Sequence, residues 1–218
     1  MVTLLVGGGS GFIGREVCRL GVRDGHEVRS VSRSGRPAID ASWTDDVSWT
    51  SADVFRPDAW RDRLRDVDAV VHSVGTLSEA PSEGITFERV NGDAAIITAL
   101  EAERAGVESF VFLSSAVKPP TTRPAYLTAK RRAETAIADL DLDAVTLRPG
   151  PVYGTDQPHF STAVNALFRV ASSVPPIADR LGEYRPISVD TAAQAAYRTA
   201  LAPDEALLDV ADIRAVAR

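Results

Sequence analysis

The chain is poor in the residues that build disulfides and metal centres. It has one cysteine and three histidines among 218 residues. Cys18 has no partner for an intramolecular disulfide, and it lies in a predicted helix where a small buried side chain is expected. His26 and His159 lie in predicted turns without the spacing of metal ligands, so we expect no metal site.

Long hydrophobic runs are also missing. No apolar stretch approaches the roughly 20 residues that a membrane-spanning helix needs, so we expect no integral membrane segment. The N-terminus enters the apolar stretch VTLLV directly, without a basic leader or a cleavage site. We therefore expect a cytoplasmic location.

An excess of positive charge is absent too. The chain carries 24 basic and 30 acidic side chains, a net charge of −6, and this gives no electrostatic reason to expect a nucleic-acid partner. A length of 218 residues suits a single domain with one core. We expect the partner to be a small-molecule substrate.

What the chain does have is a regular alternation of short β-rich runs and helical segments. The predicted strands are residues 2–6, 26–32, 47–54, 67–75, 107–115 and 142–149. The predicted helices are Phe12–Asp24, Phe87–Ala105 and Tyr126–Leu140. This alternation is typical of the α/β class, with a doubly wound parallel sheet.

After Pro149 the alternation weakens. Residues 150–188 are predicted to be loops around one helix, forming a small C-terminal lobe over the carboxyl ends of the strands, where open α/β sheets bind ligands. A helix over 190–201 and a strand over 206–213 are predicted to close the chain. Residues 1–218 are thus predicted to form one domain that includes this lobe.

A glycine-rich loop follows the first predicted strand. Aligned to the next helix, the stretch GGSGFIG has the spacing G-x-x-G-x-x-G. Such glycines allow a tight turn, a close approach by a pyrophosphate and close packing of helix on strand, while the first-turn amides of the helix face the phosphate. The alternative is a glycine-rich turn with no ligand. The residues predicted to hold a dinucleotide here are Gly8, Ser10, Gly11, Phe12, Ile13 and Gly14.

The end of the second predicted strand bears on the choice of dinucleotide. A cofactor with a free ribose 2′-hydroxyl usually meets an Asp or Glu at this point, but the chain has Arg33 and Ser34, with Arg36 close behind. A guanidinium can grip a 2′-phosphate, so we expect NADP(H) in preference to NAD(H). The alternative is that these arginines are solvated loop charges. The adenine and its ribose would be flanked by Asp53, Val54, Val74 and Gly75.

A tyrosine and a lysine stand four residues apart at the start of a predicted helix. Tyr126 and Lys130 therefore share one face. An ammonium and a cationic nicotinamide near a phenol favour its phenolate, which makes this spacing chemically useful. Ser114 and Ser115 end the preceding predicted strand and offer hydroxyl donors to a carbonyl.

These segments together resemble the extended and atypical branch of the short-chain dehydrogenase/reductase superfamily, which includes nucleotide-sugar epimerases and NmrA-like proteins. The matching segments occur in the family's order along nearly the whole chain: GGSGFIG, DAVVHSVG, VNGDAAIITALEAERAGVESFVFLSS, YLTAKRRAE, LRPGPVYG and RPISVDTAAQAA. The resemblance implies an NAD(P)-binding Rossmann fold.

The resemblance also implies roles for individual residues. Tyr126 would be the general acid/base, Lys130 would bind the nicotinamide ribose and lower the pKa of the tyrosine, and Ser115 would polarise the substrate oxygen. Asn91 matches a helix asparagine that supports the active site in many members. The stretch that contains Pro149 and Val152 would lie along the nicotinamide edge.

Three functions follow from this resemblance. The preferred function is NADP(H)-dependent interconversion of a carbonyl and an alcohol. A second is a dinucleotide-binding sensor or accessory subunit without turnover, as in relatives of the complex I accessory subunit, and a third is epimerisation or dehydration of a nucleotide sugar. The connection from Ser115 to Tyr126 and the C-terminal portion are shorter than in the sugar-nucleotide enzymes. Relatives commonly form dimers through two helices that match residues 87–105 and 126–140, so a homodimer is also expected.

Some other side chains have two interpretations each. His72 lies inside a predicted central strand, where a core or cofactor-flanking histidine is expected in preference to a catalytic base. Arg148 and Arg185 would help to close a substrate cleft. Four residues would line that cleft or pack as an ordinary lobe core: Phe160, Leu167, Phe168 and Tyr184.

Overall fold

A parallel sheet forms the centre of the molecule. The computed structural model describes residues 1–120, 122–174 and 180–218. The strands in these ranges are β1 (Thr3–Gly7), β2 (Glu27–Ser32), β3 (Val47–Ser51), β4 (Ala69–His72), β5 (Ser109–Leu113), β6 (Asp143–Leu147), β7 (Val152–Tyr153), β8 (Ile187–Ser188) and β9 (Leu207–Leu208). The main sheet has the order β3-β2-β1-β4-β5-β6-β9, and every pairing in it is parallel. The predicted doubly wound α/β fold is confirmed.

Helices cover both faces of this sheet. They are α1 (Gly14–Arg23), α2 (Ala94–Arg104), α3 (Ala125–Ala138), α4 (Thr162–Ser173), α5 (Val189–Leu201) and α6 (Val210–Val216). A π-helical turn, Glu88–Asp93, leads directly into α2. No helix in the described part of the chain is both long and apolar enough to cross a bilayer.

Side chains that alternate along the strands build two cores. Leu4 and Val6 of β1 pack with residues of α1 and α5, whereas Leu5 packs on the opposite face with residues of α2 and α3. Phe110 and Phe112 of β5 belong to the second face. This alternation follows from the two-residue period of a strand, and because both faces are covered, every residue of β4 and β5 is buried.

The chain's end differs from the predicted strand over 206–213. Only Leu207–Leu208 is extended, and a helix begins at Val210. Asp209 ends the strand because its carboxylate accepts hydrogen bonds from the amides of Ala211 and Asp212, at 2.6 and 3.1 Å. The Asp212 carboxylate accepts from the Asp209 amide in return, a capping box that starts α6.

The predicted lobe contains β7, α4 and β8. β7 and β8 pair in parallel, with Val152 opposite Ile187. α4 begins after Ser161, whose hydroxyl accepts a hydrogen bond from the Val164 amide, and none of its residues is buried. Residues 175–179 of the predicted lobe and Thr121 of the β5–α3 connection lie outside the described residues.

Candidate functional site

The glycine loop connects β1 to α1 at the carboxyl end of the sheet. Gly8 has a φ of +80°, which L side chains rarely adopt. A Cβ on Gly14 would lie 2.3 Å from the Gly8 carbonyl oxygen and 2.6 Å from the Ser73 hydroxyl oxygen. Only glycine therefore lets the start of α1 approach β1 and β4 this closely.

The same loop presents free amides at the start of α1. The Gly11 amide donates to the Gly8 carbonyl at 2.9 Å, which closes the turn. Among the described residues, the amides of Phe12 and Ile13 make no hydrogen bond to another backbone group. Unsatisfied amides at a helix N-terminus suit a phosphate, so the loop fits the pyrophosphate of a dinucleotide.

A cluster of hydroxyls lies where β2 ends. The Ser10 hydroxyl oxygen is 2.9 Å from that of Ser32 and 2.8 Å from that of Ser34. The Arg33 side chain is exposed and has no ion-pair partner among the described residues. Arg36 differs, because it donates hydrogen bonds to Thr44 and Asp45, each at 2.6 Å. Arg33 is thus the better placed of the two arginines for an added phosphate.

The ends of β3 and β4 form the next part of the predicted dinucleotide site. The Asp53 carboxylate accepts a hydrogen bond from the Phe55 amide at 3.1 Å, and the Val54 carbonyl accepts one from the Trp60 indole at 3.2 Å. These bonds fix the turn after β3. The Ser73 hydroxyl donates to the Gly7 carbonyl at 2.9 Å and ties the end of β4 to the glycine loop.

Asn91 is buried on the π-helical turn and holds the segment after β4. Its side-chain oxygen accepts from the Thr76 amide at 2.7 Å, and its side-chain nitrogen donates to the Thr76 carbonyl at 2.9 Å. Both polar atoms of the Asn91 side chain are therefore hydrogen-bonded to the backbone of Thr76. Asn91 thus anchors the segment that follows Val74 and Gly75, and its role in supporting an active site stays a prediction.

A cavity of about 690 Å³ lies between the sheet and the lobe. It brings together most of the residues that the sequence predicts for chemistry and for the nicotinamide half of a cofactor. Those that line it are Gly11, Phe12, Ile13, Val74, Gly75, Asn91, Ser115, Tyr126, Lys130, Pro149 and Val152. The others lie outside its lining: Gly8, Ser10, Gly14, Arg33, Ser34, Asp53 and Val54.

Tyr126 begins the face of α3 that meets this cavity. Its ring packs edge-on against Phe87, with the two centroids 5.6 Å apart. Burial raises the pKa of Tyr126, while the Ser115 hydroxyl and the charge of Arg131 act in the opposite direction. The direction is thus opposite to the lowered pKa that the tyrosine–lysine spacing predicts, because desolvation of the phenolate is the largest effect. The phenol is protonated at neutral pH.

Ser115 follows the end of β5 and lies next to Tyr126. Its hydroxyl donates to the Val117 carbonyl at 2.8 Å. The neighbouring Ser114 hydroxyl points elsewhere and donates to the Glu134 carboxylate. Of the two serines, Ser115 is therefore the one whose hydroxyl is near the tyrosine.

Lys130 lies one helical turn after Tyr126 and is buried. Its ammonium donates to the Leu113 carbonyl at 2.9 Å and lies 5.8 Å from the centroid of the Tyr126 ring. Burial lowers the pKa of Lys130 to about 8, against the charge of Glu134, which raises it. The lysine is charged at neutral pH, and it is close enough to stabilise a phenolate once one forms.

A partly buried ion-pair network, not predicted from the sequence, lies behind the two serines. Glu134 accepts from Arg131 at 2.5 Å and pairs with Arg148, and Arg131 also donates to the Ser115 carbonyl at 2.9 Å. Arg148 is held in this network and does not line the cavity, so its predicted role in closing the cleft is wrong. The i,i+3 spacing of Arg131 and Glu134 on α3 is the signal that would have found it.

The remaining candidates have clear positions. Burial lowers the pKa of His72 to about 3, and its ring is neutral and packs 6.0 Å from the Phe112 ring, as expected for a core histidine. Within the described ranges, no group of three His, Cys, Asp or Glu side chains could hold a metal ion. Residues of the lobe that the sequence pointed to do line the cavity: Phe160, Leu167, Phe168 and Tyr184.

Comparison with known proteins agrees with this geometry. The model of a family described as NAD(P)H-binding matches residues 8–167. An uncharacterized chloroplastic protein of Arabidopsis thaliana is 36% identical over 155 residues, which cover 69% of this chain and 51% of that protein. The ceramide reductase of Caulobacter vibrioides is 29% identical over 210 residues, covering 95% of this chain and 63% of that enzyme. The chain thus spans between half and two thirds of the length of these relatives.

A solved structure shows the same fold. The structure of MoeE5 in complex with UDP-glucuronic acid and NAD superimposes with a TM-score of 0.70 at 24% sequence identity. The superposition covers 94% of this chain and 74% of MoeE5.

Proposed function

Because the chain belongs to the NAD(P)H-binding family, we propose that it is an NADP(H)-dependent oxidoreductase of the atypical short-chain dehydrogenase/reductase type, acting on a carbonyl/alcohol pair. One observation carries this proposal. Ser115, Tyr126 and Lys130 line the same cavity as Gly11–Ile13 of the glycine loop. Chemistry-bearing side chains and a phosphate-binding loop at one cavity are what a hydride-transfer enzyme requires.

The proposed cofactor site follows the carboxyl ends of the strands. The glycine loop would hold the pyrophosphate through the amides of Phe12 and Ile13. Lys130, Pro149 and Val152 would contact the nicotinamide half, since they line the cavity beyond that loop. A bound dinucleotide would supply the hydride for reduction or accept it in the reverse direction.

The protonation states favour reduction. The phenol of Tyr126 is protonated at neutral pH, so it can donate its proton to the carbonyl oxygen as that oxygen becomes an alcohol. Lys130 would stabilise the phenolate that remains until it takes a proton from solvent. Ser115 would rotate its hydroxyl from the Val117 carbonyl to the substrate oxygen. The carbonyl compound thus gains one hydride and one proton.

The preference for NADP(H) rests on Arg33. Arg33 is exposed and directly precedes Ser34, whose hydroxyl contacts that of Ser10, at the turn where a 2′-phosphate would lie. Arg36 would contribute less, because Thr44 and Asp45 occupy it. Asp53 and Val54 would flank the adenine.

A dinucleotide-binding protein without turnover is a second candidate. One observation favours it: the Ser115 hydroxyl is occupied by a backbone carbonyl and is not free for a substrate. In this case the fold would serve contacts with a partner protein.

The quaternary state and location complete the proposal. We propose one domain over residues 1–218, a cytoplasmic location and a homodimer paired through α2 and α3. Ile96 and Ile97 of α2 line an open groove with Phe55, and a second copy would cover these partly exposed side chains. Sedimentation of the purified chain tests the dimer.

The experiment that tests the function is NADPH oxidation across a panel of ketones, aldehydes, quinones and nucleotide sugars, with binding of NADPH and of NADH measured in parallel. Net oxidation with one substrate class supports the reductase. Binding without oxidation of NADPH supports the non-catalytic protein. Conversion of a nucleotide sugar with no net consumption of cofactor supports an epimerase, and failure to bind either dinucleotide contradicts all three.

A further inference from the structure

The wall of the cavity on the side of the lobe is mostly apolar. Its residues come from three described segments, 117–120, 157–171 and 181–186, together with Leu77. We call this surface the lobe-side wall. Its apolar members in the described ranges are Leu77, Val117, Pro119, Pro120, Pro158, Phe160, Leu167, Phe168, Ala171, Leu181 and Pro186.

Two of the polar side chains of this wall, Lys118 and Gln157, are hydrogen-bonded to the protein itself. The Lys118 ammonium donates to the carbonyls of Pro119 and Thr122, at 3.1 and 2.7 Å. The Gln157 amide donates to the Val152 carbonyl at 2.8 Å and accepts from the His159 amide at 2.9 Å. Burial lowers the pKa of the His159 imidazole, so the ring is neutral at neutral pH.

No arginine, aspartate or glutamate lines the cavity in the part of the chain that the structure describes. Residues 175–179 add no lysine or arginine by sequence. A nucleoside diphosphate needs charge-assisted donors for its phosphates, and a bidentate arginine is the usual solution. The lobe-side wall offers no uncommitted cation for them.

Part of the wall extends out of the cavity as an exposed apolar rim. Leu167 and Tyr184 both line the cavity, yet each is 63% exposed. The Phe160 and Phe168 rings meet edge-on with centroids 5.4 Å apart and form the floor beside them. An apolar ligand that leaves the cavity along this rim would remove its surface from water, which is favourable in proportion to the apolar area covered.

We propose that the lobe-side wall binds the apolar chain of an uncharged carbonyl compound, so that the substrate is a long-chain ketone or aldehyde and not a nucleotide sugar. This inference rests on the proposed oxidoreductase function. The carbonyl end lies at Ser115 and Tyr126, and the chain runs past Phe168 toward Leu167 and Tyr184. Each methylene that the wall buries adds up to about fourfold in affinity, or about 0.8 kcal/mol.

The test is a binding series on the protein saturated with NADP⁺, which cannot reduce a ketone. Butanone, methyl hexyl ketone, methyl decyl ketone and UDP-glucose are titrated by calorimetry. We expect the dissociation constant to fall at least about tenfold at each step of the ketone series. We also expect UDP-glucose to bind more weakly than methyl decyl ketone. A constant that does not depend on chain length, or tighter binding of UDP-glucose, overturns the inference.

Two variants of α4 make the test specific. Leu167→Glu places a carboxylate on the rim of the wall, and we expect it to weaken binding of methyl decyl ketone about tenfold. Ala166→Glu is the matched control, since this exposed neighbour does not line the cavity, and it should leave the constant within about twofold. If both variants weakened binding of methyl decyl ketone equally, the lobe-side wall would not be the binding surface.

NADPH oxidation with the same ketones separates this inference from the proposed function. Chain-length-dependent binding without oxidation supports the apolar site and contradicts the oxidoreductase. NADPH-dependent reduction of the ketones at an efficiency that does not depend on chain length supports the oxidoreductase and contradicts the apolar site.

Discussion

The cofactor side and the lobe side of the cavity are built in different ways. On the cofactor side, the backbone is packed so closely that a Cβ on Gly14 would lie 2.3 Å from a carbonyl oxygen. On the lobe side, α4 has no buried residue, and large apolar side chains face the opening. The contrast teaches that the fixed part of the site suits one unchanging ligand, the dinucleotide, whereas the loosely packed part can adapt to a substrate's shape.

The largest expected effect is on stability, and it appears when a leucine of the sheet core is compared with a leucine of the lobe side. Leu147 of β6 is fully buried, so Leu147→Ala should cost about 2–5 kcal/mol of unfolding free energy. Leu167 of α4 is mostly exposed, so Leu167→Ala should cost less than about 0.5 kcal/mol. Urea denaturation of both variants measures the difference, and equal costs would show that the lobe side is as tightly packed as the core.

The second prediction concerns the buried lysine of the cofactor side. Burial lowers the pKa of Lys130 from 10.5 to about 8, so the folded protein carries a cost for this charge below pH 8. Lys130→Met should therefore raise the unfolding free energy at pH 7 by about 2 kcal/mol. This figure already subtracts the contribution of the lost hydrogen bond to the Leu113 carbonyl.

The pH dependence of that gain is the check. Unfolding takes up a proton at Lys130 between about pH 8 and pH 10.5, so this group makes the wild-type protein more stable as pH rises through that window. The advantage of Lys130→Met should shrink over the same window. A gain that stays constant from pH 7 to about pH 10 would contradict the buried charge.

The third prediction compares the two arginines after β2. Arg33→Ala should weaken NADPH binding by about tenfold, since a charge-assisted bond to a phosphate contributes about 1.5 kcal/mol, and should leave NADH binding unchanged. Arg36→Ala is the control, because Asp45 already engages that side chain. Fluorescence titration with both dinucleotides measures these constants. Equal losses for NADPH and NADH in Arg33→Ala would remove the basis for NADP(H) preference.

The same contrast explains which features the sequence could predict. The sheet and the glycine loop follow from local patterns, because apolar runs, glycine spacing and a strand-to-helix turn all lie within a short stretch of chain. Tyr126 and Lys130 were found in the same way, through one turn of α3.

Two of the features that were missed depend on contacts between distant segments. The pKa of Tyr126 is raised because Phe87 and the surrounding core desolvate it, and the spacing of tyrosine and lysine contains no such information. The Arg148 side chain does not line the cleft because it forms an ion pair with Glu134 of α3. The end of the chain differs from the prediction for a local reason. A capping box at Asp209 and Asp212 starts a helix within the stretch that was predicted to be one strand, so only two residues are extended.

The most direct test of the account is a comparison of wild type with Tyr126→Phe in NADPH oxidation, with NADPH binding measured on both proteins. Removing the phenolic proton donor while keeping the ring should lower kcat by about 10²–10⁴-fold. NADPH binding should change less than about threefold, because the glycine loop supplies most of the contacts. A variant that keeps the wild-type kcat would contradict the central claim that Tyr126 is the acid at this site.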